Sequence, residues 1–286
     1  MTLGDLRREL GLDRAETAGG AEEQEASSAR SATGPGTPAR ATAEVRKPVE
    51  ADIYPYWAWS WPIRLLRRGF IELVSQPLVW LLAAPRVERP ARLGIDGPVL
   101  IIANHVTAFD VPIILYGLPR QMRRDFATAM AGNLLRDFRH MRNVGPQGVR
   151  MSALLDLLGP AAWLLITVFY NVFPLPRSAG FRRSFQHIGE ALDRKFNVIV
   201  FPEGERTEAG LQKFRPGIGL LVRESGVPVV PVAMAGLSEL KREKRWFRTK
   251  KLTVRVGQPV QFGEDDSAER ITEELYERLR GLLAGE

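Results

Sequence analysis

Two short segments, far apart in the chain, carry the residues best suited to chemistry. In the first, Asn104 and His105 are followed by Asp110. An imidazole near its ordinary pKa of ~6.5 accepts a proton at neutral pH. A carboxylate at its other nitrogen fixes the tautomer and stabilises the imidazolium that forms. The second segment runs Phe201, Pro202, Glu203, Gly204, Glu205, Arg206. Gly204 permits a backbone conformation closed to other residues and a close approach to ligand, and Arg206 suits a phosphate, which it can grip with two parallel hydrogen bonds. Glu203 cannot hold an anion; it is left to accept from a substrate hydroxyl or to hold Arg206. Arg177, Lys213 and Arg215 offer further positive charge, for which a solvated surface is an equally open reading. Together the segments suit an enzyme that takes a proton from a hydroxyl on an anionic substrate.

The spacing of the first segment sets a condition. Residues five apart on a helix lie about 140° apart around the axis and do not meet. His105 and Asp110 can pair only if the histidine sits in a turn before a helix and the aspartate in its first turn. Pro112 fits that placement. The same spacing also describes a histidine at a strand end with an aspartate capping the next helix, and the pattern alone leaves both open.

The flanking elements decide where these groups go. Residues 98–103 form a short unbroken apolar run, as expected of a strand buried on both faces, and it ends at Asn104. Loops at strand ends are where α/β proteins place reactive groups. Residues 111–118 read as a helix and 125–130 as a second strand. Residues 152–170 are apolar but interrupted by Gly159 and Pro160; they read as a buried helix or a membrane-contacting one, and their length favours the first. An amphipathic helix over 181–195 ends in Arg194 and Lys195, which complement its dipole. Residues 196–201 are the clearest strand and deliver the second segment. In 227–233, Pro228 and Pro231 point to a strand start or a sheet edge. Residues 252–256 alternate like a half-exposed strand, and 268–283 like a surface helix. The class is α/β: a mixed, largely parallel central sheet flanked by helices, occupying residues 91–286.

Ahead of it, residues 1–50 are rich in small and polar residues. Such a stretch cannot bury enough surface to offset its ordering entropy, so a disordered tail is expected. Residues 51–90 differ. Tyr54, Tyr56, Trp57, Trp59 and Trp61 precede Arg64, Arg67 and Arg68. Aromatic rings favour the membrane–water boundary, and arginines there reach lipid phosphates. Glu72, Gln76 and Pro77 keep the apolar run that follows below the ~20 residues of a spanning helix. The reading is a membrane-associating segment, a pair of interfacial helices lying in one leaflet; the alternative is a helical hairpin packed on its own domain.

The 286 residues carry a net charge of +7, which favours anionic partners. Arg120, Arg123, Arg124, Arg136, Arg139 and Arg142 form a basic stretch without a nucleic-acid motif. An anionic membrane surface accounts for the charge, and no nucleic acid is expected. The absence of cysteine excludes disulfides, thiolate nucleophiles and cysteine-bound metal centres. The spacing of His105, His140 and His187 matches no metal-ligand pattern, and the last two are expected on the surface. The first residues lack the apolar core of a secretory signal, so an intracellular location is expected.

These residues resemble the glycerolipid acyltransferase family, typified by 1-acylglycerol-3-phosphate acyltransferases, over roughly residues 95–260. The His-x4-Asp motif falls on His105 and Asp110. A second block ending in arginine falls on Phe173 to Arg177, a Phe-Pro-Glu-Gly-x-Arg block on Phe201 to Arg206, and a proline-bracketed apolar block on Val227 to Pro231. Two departures stand out. Glu205 occupies a position where the family often has a small residue, and the second block contains Pro174 and Pro176. The resemblance implies transfer of a fatty acyl chain from acyl-CoA or acyl carrier protein, with no bound cofactor, to the hydroxyl of a lysophospholipid-type acceptor. The acceptor it implies first is 1-acylglycerol 3-phosphate, giving phosphatidic acid in phospholipid synthesis at the cytoplasmic face of a membrane. His105 is then the base and Asp110 its orienter, with Arg206, Glu203, Gly204 and Arg177 at the acceptor phosphate. The hydroxyl attacks directly, in keeping with the missing cysteines and the missing Gly-x-Ser-x-Gly elbow. Another acceptor, such as glycerol 3-phosphate or a different lipid alcohol, remains open. So does a non-catalytic lipid-surface protein, against which the intact His/Asp pair argues.

Overall fold

The computed structural model describes residues 53–132, 135, 153–175, 181–207, 210–243 and 251–285. The expected tail, Arg177, His140 and the three arginines Arg136, Arg139 and Arg142 lie outside them. The framework is a seven-stranded sheet. In chain order its strands are β1 (Arg86–Glu88), β2 (Leu100–Ala103), β3 (Phe126–Ala131), β4 (Val172–Leu175), β5 (Asn197–Val200), β6 (Val229–Ala235) and β7 (Thr253–Val256). Their spatial order is β1-β7-β6-β2-β5-β3-β4. Strands β6, β2, β5, β3 and β4 are mutually parallel, and β7 runs antiparallel to β6 with β1 parallel to it at the edge.

Both faces of the central strands are covered, which is why they read as unbroken apolar runs. Along β2, Ile101 and Ala103 join one core and Leu100 and Ile102 the other; in β5, Ile199 faces the first core and Val198 and Val200 the second. On the first face lie α3 (Asp110–Gly117), with Ile114 and Leu115 fully buried, and α7 (Leu237–Glu243). On the second lie α5 (Phe181–Asp193), α6 (Gly217–Ser225) and α8 (Ala268–Ala284), the last through Ile271, Leu275 and Leu279. Each such side chain taken fully out of water contributes about 1.5–3 kcal/mol.

One proline of the sheet departs from expectation. Pro228 precedes a strand as predicted, but Pro231 lies inside β6, between β2 and β7. The fold tolerates it because the sheet thins there: β7 pairs with β6 only from Val232 onward, and the Pro231 carbonyl still accepts from the Gly257 N–H at 2.8 Å. The missing N–H therefore costs one rung at the end of a ladder. Strand β4, which holds Pro174, is an edge strand, where a missing donor is harmless. Helix α4 (Ala153–Tyr170) runs through Pro160 without a break.

Residues 61–82 form one unbroken helical run, not a pair of helices. Helix α1 (Trp61–Phe70) passes through a π-helical turn (Ile71–Ser75) into α2 (Gln76–Leu82). The wide turn sits just before Pro77, whose ring would otherwise crowd the preceding carbonyls. No helix among the described residues is long and apolar enough to cross a membrane. The arginines of this run turn inward rather than outward. Arg64 donates from Nε to Asp125 at 2.9 Å, and Arg68 pairs with the same carboxylate. Arg67 is fully buried and donates to the carbonyls of Ala58 (2.9 Å) and Val168 (2.8 Å); burial lowers its pKa to about 10. Glu72 receives Arg123 from two nitrogens, each at 3.0 Å. With its charges spent on the domain, the run leaves its apolar side chains outside: Trp61 is 76% exposed, Leu65 61% and Leu73 79%.

The aromatic cluster divides. Tyr56, Trp57 and Trp61 are exposed, whereas Trp59 is buried against His187 and Phe196. His187 is therefore not on the surface. It is 1% exposed, ringed by Tyr54, Tyr56, Trp59 and Phe173, and its Nδ1 has no hydrogen-bond partner among the described residues. Burial pushes its pKa down to about 4.

Candidate active site

Strand β2 ends at Ala103, and Asn104 extends it by one rung. Its side-chain amide accepts from the Met234 N–H at 2.8 Å and donates to the Met234 carbonyl at 3.2 Å, so it pairs with β6 as a backbone would. His105 then leaves the sheet. Asp110 opens α3, and its carboxylate closes the intervening turn. Oδ2 accepts from Val106 N at 2.7 Å, and Oδ1 accepts from Thr107 N at 2.9 Å and Thr107 Oγ1 at 2.7 Å. The same Oδ2 lies 2.7 Å from His105 Nδ1. The turn-before-helix condition set by the spacing is met. Asp110 is 1% exposed, and the His105 side chain 19%, so one reaching atom of the pair remains open.

The second segment leaves β5, the neighbour of β2, and folds over His105 from the other side. Phe201 stacks on the imidazole, ring centroids 4.2 Å apart. The Thr207 N–H donates to the His105 carbonyl at 2.9 Å, and the His105 N–H donates to Glu203 Oε1 at 2.9 Å. The other Glu203 oxygen accepts from the Gln212 N–H, also at 2.9 Å. Burial raises the Glu203 pKa from its ordinary value, and these two backbone donors offset only part of that. Gly204 has φ +74°, a left-handed conformation that favours glycine, and Arg215 Nε lies 3.1 Å from where a Cβ would stand. Arg206 brings its Nε to 3.3 Å from His105 Nε2.

These contacts assign the tautomer. A carboxylate at Nδ1 needs a donor, and a guanidinium at Nε2, which cannot lose its proton, needs an acceptor. The proton therefore sits on Nδ1, and the Nε2 lone pair faces outward. It opens on a cavity of about 380 Å³. His105, Asp110 and Arg206 line one side; Ala129, Met130 and Ala131 from the end of β3 and Leu175 from the end of β4 line an apolar side. The cavity thus lies at the carboxyl ends of the strands, where open α/β sheets hold ligands.

Residues 148–235 match the Acyltransferase family model, a stretch that includes Phe201, Glu203, Arg206, Pro228 and Pro231 but stops short of His105. No curated protein matches the chain. Among solved structures, the 1-acyl-sn-glycerophosphate (LPA) acyltransferase PlsC from Thermotoga maritima superposes with a TM-score of 0.53 at 20% identity, over 78% of this chain and 81% of that one. The chain resembles the glycerolipid acyltransferases. At that identity the likeness to PlsC is one of fold, a mostly parallel sheet with flanking helices.

Of the site residues that the resemblance implies, His105, Asp110, Gly204 and Arg206 line one cavity, while Arg177 lies outside the described residues. Glu203 stands beside them with both oxygens engaged by backbone. Glu205, where a small residue is usual, stands at the cavity wall and pairs with Arg215 at 3.9 Å. Sequence reasoning assigned no role to three contributors: Asn104, Thr107 and the backbone of Gln212. A hydroxyl three residues before an aspartate at a helix start was the available sign for Thr107. Nothing in the pattern announced a backbone N–H.

Proposed function

We propose that this protein transfers a fatty acyl chain from an acyl thioester, carried on coenzyme A or acyl carrier protein, to the hydroxyl of a glycerol-phosphate-type acceptor. The observation that carries the reading is the placement of one guanidinium and one oriented imidazole at the same cavity. The acceptor hydroxyl gives its proton to His105 Nε2 as its oxygen attacks the thioester carbonyl carbon. Asp110 holds Nδ1–H and stabilises the imidazolium. The tetrahedral intermediate then collapses, the carbon–sulfur bond breaks, and the proton on Nε2 passes to the departing thiolate. An ester and a thiol leave, and the base is restored. Arg206 takes the acceptor phosphate by charge-assisted hydrogen bonds, quitting the Nε2 lone pair as it does so.

The acceptor we favour is 1-acylglycerol 3-phosphate. Support comes from the Acyltransferase match and from the fold shared with a protein that is a 1-acyl-sn-glycerophosphate acyltransferase. We further propose that the outward apolar face of residues 61–82 lies in an anionic membrane at its cytoplasmic side, delivering such lipids to the cavity. The test is thiol release from acyl-CoA and acyl carrier protein with three acceptors: 1-acylglycerol 3-phosphate, glycerol 3-phosphate and a neutral lipid alcohol. Wild type releases thiol fastest with the first, and His105→Ala with none. Lipid binding without turnover in wild type would leave only a lipid-surface protein.

A further inference from the structure

Gly204, Glu205 and Arg206 line the cavity, but Glu203 does not. It is 2% exposed, and its two oxygens are each taken by a backbone N–H, from His105 and from Gln212. We infer that Glu203 is a positioning residue for His105 and not a ligand of the acceptor. The second segment holds both main-chain polar groups of the histidine: Glu203 takes its N–H, and the Thr207 N–H meets its carbonyl. The Gln212 contact folds the same loop back on the carboxylate, so that Glu203 fixes at once where the base stands and where Arg206 emerges. Among the described residues no salt bridge reaches its carboxylate, and burial is unfavourable for the charged form, which agrees with a group kept for geometry. A misplacement of order 1 Å at a reacting group costs about 10²-fold in rate.

Glu203→Gln tests this. It presents one acceptor oxygen, and an NH₂ that confronts the second amide donor, so one arm of the clasp opens. The expected result is a kcat lower by roughly 10- to 100-fold with the acceptor KM within about twofold of wild type. A raised KM with kcat retained overturns the inference. This kinetic arm rests on the acyl-transfer reading, and a spectroscopic arm does not. The chain has three histidines, His105, His140 and His187, so ¹⁵N-labelled imidazoles give a sparse spectrum. In Glu203→Gln the ring nitrogens of His105 shift, while those of His187, enclosed by aromatic rings, stay and report an intact fold. Unmoved His105 signals overturn the inference even if no thioester is ever turned over. Should the variant not fold, wild type answers alone. On saturation with glycerol 3-phosphate, the amide signals of His105 and Gln212 keep their hydrogen-bonded positions. Release of either means that the carboxylate leaves the clasp to meet the acceptor, and the inference fails.

Discussion

Arg206 rests its Nε 3.3 Å from the Nε2 of His105, joining side chains 101 residues apart in sequence. The group suited to an acceptor's phosphate thus lies on the lone pair suited to its hydroxyl proton. In the proposed reaction a glycerol phosphate, with a hydroxyl two carbons from a phosphate, would engage both once the guanidinium swings to the anion. Arg206→Ala is expected to raise the acceptor KM by about 10- to 150-fold, the equivalent of the 1.5–3 kcal/mol of a charged hydrogen bond. Arg206→Lys recovers part of it, since an ammonium supplies charge without the fork. Initial rates against acceptor concentration decide the matter. An unchanged KM in the alanine variant removes Arg206 from the anion site.

Asp110 has two duties, and its amide variant separates them. Asp110→Asn can present an NH₂ to Nδ1 and turn the imidazole to the wrong tautomer; kcat is expected to fall on the order of 10³–10⁴-fold. The turn it closes loses acceptor capacity toward Val106 and Thr107, so stability falls as well, by about 1–3 kcal/mol. Thr107→Val removes the hydroxyl, which donates to Asp110 at 2.7 Å and accepts from the Phe109 N–H at 3.0 Å, and should lower stability by about 1–3 kcal/mol. Thiol release and urea denaturation, run on both variants, measure the two effects apart.

The ring of His187 makes native stability depend on pH. Its folded pKa is about 4, against 6.5 when free. Between these values the unfolded chain takes up a proton that the native ring refuses. Stability is full above pH 6.5 and declines as the pH drops toward 4, by about 3 kcal/mol in all. His187→Leu should flatten that decline in a series of urea midpoints from pH 7 to 4.5. A slope equal to wild type places the acid sensitivity elsewhere.

The outward face of residues 61–82 can be altered without touching the domain. Leu73→Asp and Trp61→Asp act at the two most exposed large apolar side chains of the run. Each is expected to weaken binding to anionic vesicles by roughly tenfold or more, since burying such a side chain contributes about 1.5–3 kcal/mol. Their thermal midpoints should match wild type. Vesicle flotation of wild type and variants alike leaves this face without a membrane role.

The strands of the sheet that build the site were legible because they are buried on both faces and therefore spell unbroken apolar runs, as in residues 98–103 and 196–201. Strand β4 was not, since its proline hid a strand that the sheet edge accommodates. The continuous helix over 61–82 was read as two because Pro77 signals a break, whereas a π-helical turn absorbs it. His187 was placed outside because the eye follows its polarity; only the tertiary packing of Tyr54, Trp59 and Phe173 encloses it. Within the site, residue types with familiar chemistry announced His105, Asp110 and Arg206. The bracing by Asn104, Thr107 and Glu203 runs largely through backbone atoms, which carry no signature in a sequence.

Strand β2 is flanked by β5 and β6, so Leu100 sits opposite both Val198 and Val229. The histidine that follows β2 is gripped by a loop made nearly a hundred residues later. A chain emerging from the ribosome therefore carries its imidazole unsupported until most of the polypeptide has appeared. Whatever reaction the cavity performs switches on only with completed long-range pairing, the slowest kind of contact to form. A growing fragment that lacks residues 203–207 lacks the contacts that hold the His105 backbone in place.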